Sequence, residues 1–482
     1  MAPPLRPFDK LRAGPFDSAQ GRQTQGRLLE GIRIIEMGQL IAIPHAMKLL
    51  ADMGAQVIRL ESCQRLESYR TDSLYPDPNA IGAGGQFWNQ GANFYEQNRN
   101  KLGITLDLSS PQGLAILREL VAISDVFAEN FTPRVVKGFR LEYDDLRRIK
   151  PDIIMVSSTG YGYAGPWANF GATGPATEAA SGLAHMTGYR DGPPMMPEIP
   201  YTDYTAAEHT AFAVMAALVH RQRNGRGQFI DVSQSQTASA TAPEALLDFA
   251  ANGRIQPRMG NEDPVMAPHG CYPCRGDDRW IAIAVSTDAQ WQALAKVLGQ
   301  PAWLDDARFR DGLGRWQHRA VLDQQIAKAT RTWDAHQLMQ ELQGAGVAAG
   351  AVLDSKALLF DPHLLARGFY EVVGHHASTG MPPLPYASRP WKLPETPAVP
   401  GRAAPIMGEH NKVVLSQLLG HTLEELAALE ADGVIGYAPT NPRPVRRPSP
   451  EEQVRQGRMQ RYEPDYREQV ARAYRAEPPP EG

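Results

Sequence analysis

Through the first 235 residues, short apolar runs alternate with longer stretches of helical period, and this alternation constrains the fold more than any other feature. Gly31-Ile32-Arg33-Ile34-Ile35-Glu36 reads as a buried strand. Pro44 opens a helical stretch in which Met47, Leu50 and Met53 recur three apart, and Gly54 closes it. Further strands are expected at 56–61, 104–108, 125–129, 153–157 and 229–232. Ser109-Ser110-Pro111 is a helix start, a capping hydroxyl followed by Pro in the first turn, and 204–222 is a long apolar helix. Parallel strands need crossover connections, and a helix between strands supplies one. The pattern therefore implies an α/β fold around an open parallel sheet.

The texture changes near residue 258. A strand at 280–285, the helix DAQWQALAKVLG, helical sequence over 317–345 and an extended run at 347–353 suit a second, smaller α/β domain. The segment 375–405 is Pro-rich and without period, and reads as a long surface crossing. The expected plan is an unstructured extension at 1–28, the first part of the large domain at 29–235 and a linker at 236–257. A small domain at 258–355 follows, then a return segment at 356–440 that completes the large domain, and a Pro- and charge-rich tail at 441–482. Within that tail, 451–475 has the makings of a surface helix.

Lys and Arg number 49 against 53 Asp and Glu, a formal charge of −4, so neither nucleic acid nor an anionic membrane is an expected partner. No apolar stretch approaches the ~18–20 residues of a membrane span, and three cysteines suit a reducing cytoplasm. The first strand is followed by MGQLIAIPHA rather than a nucleotide-binding glycine loop, and Gly82-Ala83-Gly84-Gly85 sits away from any strand–helix junction. Phosphate-loop, GxSxG and HExxH motifs are absent from the sequence. Cys271-Tyr272-Pro273-Cys274 precedes Arg275-Gly276-Asp277-Asp278 and a strand, the setting of a hairpin rather than of a redox pair, and no metal site is expected.

Carboxylates carry more information. Asp203, in IPYTDY, stands just before an apolar helix; its ordinary role is at a helix start. Glu178 lies among small residues in ATEAA, where the ordinary expectation is a solvated side chain. The functional reading of either is a carboxylate nucleophile in a drier pocket. Gly160-Tyr161-Gly162-Tyr163-Ala164-Gly165-Pro166 follows a predicted strand, and its glycines permit close approach of a ligand or of another backbone.

These residues fall in an ordered set: NRNKLGITLDL at 98–108, SDVFAENFTP at 124–133, KPDIIMVSSTGYGYAGP at 150–166, SGLAHMTGYRDGPP at 181–194 and HRQRNGRGQFIDVS at 220–233. In sequence and order the set resembles the class III (CaiB/BaiF-type) CoA-transferases, the family of formyl-CoA:oxalate and carnitine CoA-transferases, over about 30–420. The resemblance implies an open Rossmann-like large domain, a smaller α/β domain and an interlocked dimer. It also implies a CoA thioester as substrate rather than a tightly held cofactor. The family nucleophile is the aspartate of Asp-x-x-x-Gln-Ala-x-Ser-Gly. Counting back from Ala179-Ala180-Ser181-Gly182 puts the Gln on Glu178 and the Asp on Gly174. The usual nucleophile is therefore missing, Glu178 is the nearest carboxylate in the sequence, and Asp203 matches a second family aspartate of structural or pocket character.

At the positions the family uses for CoA, the chain has Ala42, then Leu106, Asp107, Leu108 and Ser109, and Asn130-Phe131. The usual basic contacts are altered: Ser62 stands after the second strand's Glu, and Arg134, Lys137 or Arg140 are left to meet the phosphates. The expected activity moves CoA between an acyl-CoA and a free carboxylic acid, with Glu178 replacing the aspartate. Two alternatives accompany it: a non-catalytic subunit of a heteromeric transferase, and an α-methylacyl-CoA racemase or isomerase.

Overall fold

The computed structural model describes residues 27–71, 86–398, 401–442 and 448–474. The expected N-terminal extension, apart from residues 27 and 28, the glycines at 82–85 and the final residues from 475 lie outside the described residues. The chain divides into two compact units: Met1–Ser181 with Ile199–Ala242 and Leu365–Gly482, and Gly182–Glu198 with Pro243–Leu364.

In the larger unit, strands β1 (Arg33–Met37), β2 (Gln56–Glu61), β3 (Leu102–Thr105), β4 (Val126–Glu129), β5 (Ile154–Thr159) and β6 (Phe229–Ser233) form a parallel sheet in the order β3-β2-β1-β4-β5-β6. The connections carry helices α1 (Ala42–Asp52), α2 (Ala92–Asn98), α3 (Pro111–Ala122), α4 (Pro133–Gly138), α5 (Tyr143–Ile149) and α6 (Gly174–Ser181). Helix α7 (Leu183–Met186) belongs to the smaller unit, and α8 (Tyr201–Asn224) and α9 (Gln234–Ser239) flank β6. Strand alternation sorts the apolar side chains. Ile34, Val57 and Val126 join the residues of α1 and α8 in one core, while Ile35, Ile58 and Phe127 join those of α3 and of 414–435 in another. Both faces are thus covered by helix, and each fully buried Ile contributes roughly 1.5–3 kcal/mol. Helix α3 starts as its sequence dictates, Ser110 accepting from the N–H groups of Gln112 and Gly113 with Pro111 behind it.

The outer edge of β3 is closed by chain from far along the sequence. Asn411 Oδ1 accepts the Thr105 N–H at 2.8 Å, and its Nδ2 donates to the Gly436 carbonyl at 2.9 Å. Asp107 N–H donates to the Val434 carbonyl at 2.8 Å. Such cover removes a row of unpaired backbone groups that would otherwise template aggregation.

The NRNK segment at 98–101 works inside the unit. Arg99 Nη2 meets Asp52 at 2.7 Å, Asn100 (φ 65°) bonds the same carboxylate at 2.7 Å, and Lys101 Nζ lies 2.7 Å from Glu36. Arg59 ties Glu36 to Glu67, and Arg70 grips Glu61 bidentately. These charges are buried but mutually paired, which is what makes burial tolerable.

Three segments depart from the sequence reading. The expected linker at 236–257 is largely helical, α9 being followed by α10 (Pro243–Asn252). The unperiodic crossing at 375–405 contains β11 (Leu384–Ala387), which pairs with β10 (Tyr370–Val373); strands of four residues are too short to show a period. The 451–475 helix is two pieces, Pro450–Arg455 and Tyr466–Ala473, with Gly457 (φ 68°) and Pro464 between them.

The smaller unit pairs β7 (His269–Pro273), β8 (Trp280–Ala284) and β9 (Ala348–Ala351) antiparallel, in that order. Helices α11 (Asp288–Val297), α13 (Arg319–Thr330) and α14 (Ala335–Gly344) share its core, where Trp291 stacks on Trp303, and the buried Arg315 of α12 (Gly312–Gln317) lies over the Trp291 ring. The cysteine pair sits at the expected hairpin as free thiols, Cys271 exposed on β7 and Cys274 buried just beyond it. Residues 182–198, expected with the large domain, are tied instead to the smaller unit. Gly260 N–H donates to the Gly188 carbonyl at 2.8 Å, and Arg258 donates to the carbonyls of Gly192 and His185. Among the described residues, no helix is long and apolar enough to cross a membrane.

Candidate active site

The strand order reverses between β1 and β4, and in open α/β sheets the crevice beyond the carboxyl ends of such strands receives ligands. Ala42 opens α1 directly above β1 and is fully buried. The chain reaches it through Gly38, where a Cβ would lie 2.5 Å from Ile43 Cγ2, and Leu40 (φ 62°), whose N–H donates to Glu67. Asn130, beyond β4, clamps the neighbouring loop: its Oδ1 accepts the Gln39 N–H and its Nδ2 donates to the Gln39 carbonyl, both at 2.8 Å. Phe131 N–H donates to Glu129, which is fully buried and whose pKa burial pushes up to about 7.

Arg134 and Lys137 in α4, and Arg140 just beyond it, all have exposed side chains. Arg134 and Lys137 are helical neighbours at i, i+3, whereas Arg140 (φ 54°) lies beyond the end of α4. Leu106, Asp107, Leu108 and Ser109 form the turn that follows β3, where Asp107 Oδ1 accepts both the Ser109 N–H and its hydroxyl. At ~4.8 Å per strand, the β3 and β4 ends lie roughly 14 Å apart along one sheet edge, a span that suits an extended ligand rather than a compact one.

The carboxylates lie farther along the larger unit. Gly160, after β5, has no room for a side chain: a Cβ would come 2.1 Å from that of Ala172. This close approach lets the loop fold back and deliver α6. Thr177 in α6 bonds the Gly174 carbonyl at 2.9 Å and meets the Thr202 hydroxyl at 2.7 Å, locking α6 to the start of α8. One residue on, Glu178 is only 1 % exposed, and its Oε1 accepts the Tyr201 N–H at 2.7 Å. Pro200, which precedes α8, offers no side-chain cap, so Glu178 satisfies an otherwise open helix terminus from outside. Solvation, the ordinary expectation for Glu178, does not apply.

Asp203, in the first turn of α8, does not cap the helix. It turns toward α6. A Cβ built on Gly174 would stand 2.9 Å from Asp203 Oδ2 and 2.8 Å from Pro200 Cβ. The carboxylate of Asp203 thus lies where a side chain at 174 would emerge. Burial, and secondarily the nearby Glu178, push its pKa up to about 6. The structure brings Gly174, Glu178 and Asp203 together, with Glu178 taking the helix-start role expected of Asp203.

Sequence reading gave no role to the residues on the other side of Asp203's helix. His45 Nδ1 bonds Gln97 at 2.8 Å and its ring stands edge-on to Tyr204 at 4.9 Å. Burial and the positive charge of Lys48 hold its pKa down to about 3, so the imidazole is neutral at physiological pH. The Gln39–Asn130 clamp was equally hidden, since nothing in single-residue spacing links positions 91 apart. Among the described residues, no group of three or more His, Cys, Asp or Glu side chains is arranged to hold a metal ion.

Residues 29–411 match CoA-transferase family III. The chain is 33% identical over 416 residues to the succinyl-CoA–D-citramalate CoA-transferase of Chloroflexus aurantiacus, covering 86% of this chain and 99% of that protein. It is also 33% identical over 400 residues to the succinate–glutarate CoA-transferase of Agrobacterium fabrum, covering 83% and 97%. Among solved structures, a CaiB/BaiF family protein from Brucella suis superposes with a TM-score of 0.73 at 28% identity, over 82% of this chain and all of that one.

Proposed function

The chain belongs to CoA-transferase family III, transferring CoA between an acyl-CoA and a carboxylic acid, and from that premise we propose a route through an enzyme-bound anhydride. A carboxylate of the Glu178–Asp203 pair attacks the thioester carbonyl, the C–S bond breaks, and CoA departs as thiolate. The thiolate attacks the enzyme's own carbonyl in the resulting anhydride, which releases the first acid and leaves an enzyme–CoA thioester. The incoming acid repeats both steps in reverse order. Each exchange conserves one activated acyl bond, so the chain needs no ATP and no tightly held cofactor. The observation that carries this reading is the juxtaposition of two carboxylates with Gly174, the position at which the family resemblance expects the nucleophile.

The names of the two transferases above support succinyl-CoA as donor and a short dicarboxylic acid as acceptor. The CoA moiety is assigned to the crevice beyond β1 and β4, with Ala42, Leu106 to Ser109 and Asn130-Phe131 along it and Arg134, Lys137 and Arg140 facing the phosphates. We assign the enzyme to the cytoplasm, as an interlocked homodimer. The deciding experiment is mass-spectrometric detection of CoA exchange, with succinyl-CoA and acetyl-CoA as donors against a panel of acids. A new acyl-CoA formed by the purified chain alone supports the reading.

Gly174 also favours a second reading, a non-catalytic subunit of a heteromeric transferase. Turnover by the isolated chain excludes it, whereas a need for a second polypeptide would establish it. The same glycine counts against racemisation, which in this family uses the same missing aspartate; α-proton exchange in deuterated water without acyl transfer would restore that alternative.

A further inference from the structure

We propose that Asp203 is the nucleophile of this enzyme, its carboxylate entering from α8 into the space that Gly174 leaves vacant on α6, with Glu178 as a positioning residue. The inference rests on the CoA-transferase reading and assigns a role within it. A carboxylate at position 174 would have to emerge from a Cβ that the structure places 2.9 Å from Asp203 Oδ2. A side chain there and the present position of Asp203 exclude each other. Gly174 has an ordinary helical backbone rather than a left-handed one, so the requirement for glycine is one of space.

Glu178 is poorly disposed to attack. It is buried, and one of its oxygens accepts the Tyr201 N–H. Moving it toward a thioester would open the start of α8. That bond instead fixes the turn from which Asp203 projects two residues later, helped by the Thr177–Thr202 contact. Asp203 is half-buried rather than sealed, as a group that must meet substrate should be. In the step assigned to it, Asp203 Oδ2 bonds to the acyl carbon as the C–S bond breaks, and CoA leaves as thiolate. The thiolate then attacks Asp203 Cγ, expelling the original acid. The acceptor carboxylate in turn displaces CoA from Cγ, and thiolate attack on the acceptor's acyl carbon frees Asp203. No proton or electron is gained or lost over the cycle.

The charged groups around it are few. From α6 it faces Glu178, whose charge raises its pKa. Helix α9 carries no titratable side chain. On α1, His45 and Lys48 lie toward Tyr204 and Glu208. Strand β5 has no charged residue, and the carboxylate of Asp231 on β6 accepts the Tyr163 N–H. Glu178 is therefore the neighbour whose removal should shift the titration of Asp203, and the shift should be downward.

The test compares wild type, Asp203→Asn, Glu178→Gln and Gly174→Ala in CoA exchange from succinyl-CoA, each checked by circular dichroism. Wild type incubated with succinyl-CoA and quenched with hydroxylamine should carry a hydroxamate on Asp203. Asp203→Asn should lose roughly 10³-fold or more in kcat and show no trapped residue. Glu178→Gln keeps an oxygen for the Tyr201 N–H, so it should retain turnover within about tenfold, with the acid limb of its pH–rate profile moved to lower pH. Gly174→Ala should fold and lose activity, because its methyl displaces Asp203. A hydroxamate on Glu178, or an Asp203→Asn enzyme that turns over normally, overturns the assignment while leaving the transferase reading intact. Should Asp203→Asn fail to fold, the trapped residue in wild type decides alone. Wild type that neither exchanges CoA nor traps any acyl group removes both.

Discussion

A carboxyl group held near pH 6 rather than at its ordinary 3.8 makes folding depend on pH. Between those values the folded chain keeps the Asp203 proton and the unfolded chain releases it, so stability falls as pH rises through that window and is lowest above it. Asp203→Asn should therefore raise the melting temperature at pH 8, by roughly 1–3 kcal/mol of stability, and leave it nearly unchanged near pH 4. Differential scanning calorimetry at the two pH values reads this directly, and a uniform loss at both would mean that Asp203 supports the start of α8 instead. In the wild-type enzyme the same ionisation predicts a CoA-exchange rate that climbs with pH through about 6 and then levels. Gly174 was visible in the sequence as a departure from the family pattern. The residue that fills its place was not, because Asp203 arrives through the turn at Pro200, whose path depends on contacts between α6 and α8 rather than on local spacing.

Among the elements, β1, β2, β4, β5 and β6 and the start of α3 were legible because strand period, capping hydroxyl and Pro act locally. Strand β3 was expected at 104–108 and lies at Leu102–Thr105; residues 106–109 continue the apolar run but bend into the turn that Asp107 and Ser109 close. The hairpin β10–β11 was illegible, with Pro385 in a strand so short that no alternation develops. Nor does any local signal show that β3 is completed by 403–436. Asn411 is the hinge of that cover, fully buried and bonded to Thr105 and Gly436. Asn411→Ala leaves the Thr105 N–H unpaired, while the Gly436 carbonyl keeps the Thr105 hydroxyl as donor, and should cost about 1–3 kcal/mol, seen as a lower urea midpoint at unchanged m. Ser110→Ala, which removes only the cap of α3, should cost about 1 kcal/mol.

For the whole molecule, α10 poses the question of assembly. None of its residues is buried, yet Leu246, Leu247 and Phe249 are 60, 67 and 57% exposed on it. A helix so apolar and so bare is what the proposed dimer would cover. Sedimentation at micromolar concentration should give twice the chain mass, and Leu247→Glu should shift it toward the monomer; a stable wild-type monomer would count against the interlocked assembly. The return of the chain to β3 has a different consequence, in time rather than in space. Gly436 follows its partner Thr105 by 331 residues, which at ~5–20 residues per second is roughly 15–65 s of synthesis. For that interval the nascent sheet leaves the ribosome with a raw edge. Premature termination before 436 should therefore yield insoluble product even though every strand of the sheet has already been made, and expression should gain more from added chaperone, or from slower initiation at lower temperature, than from any stabilisation of the finished enzyme.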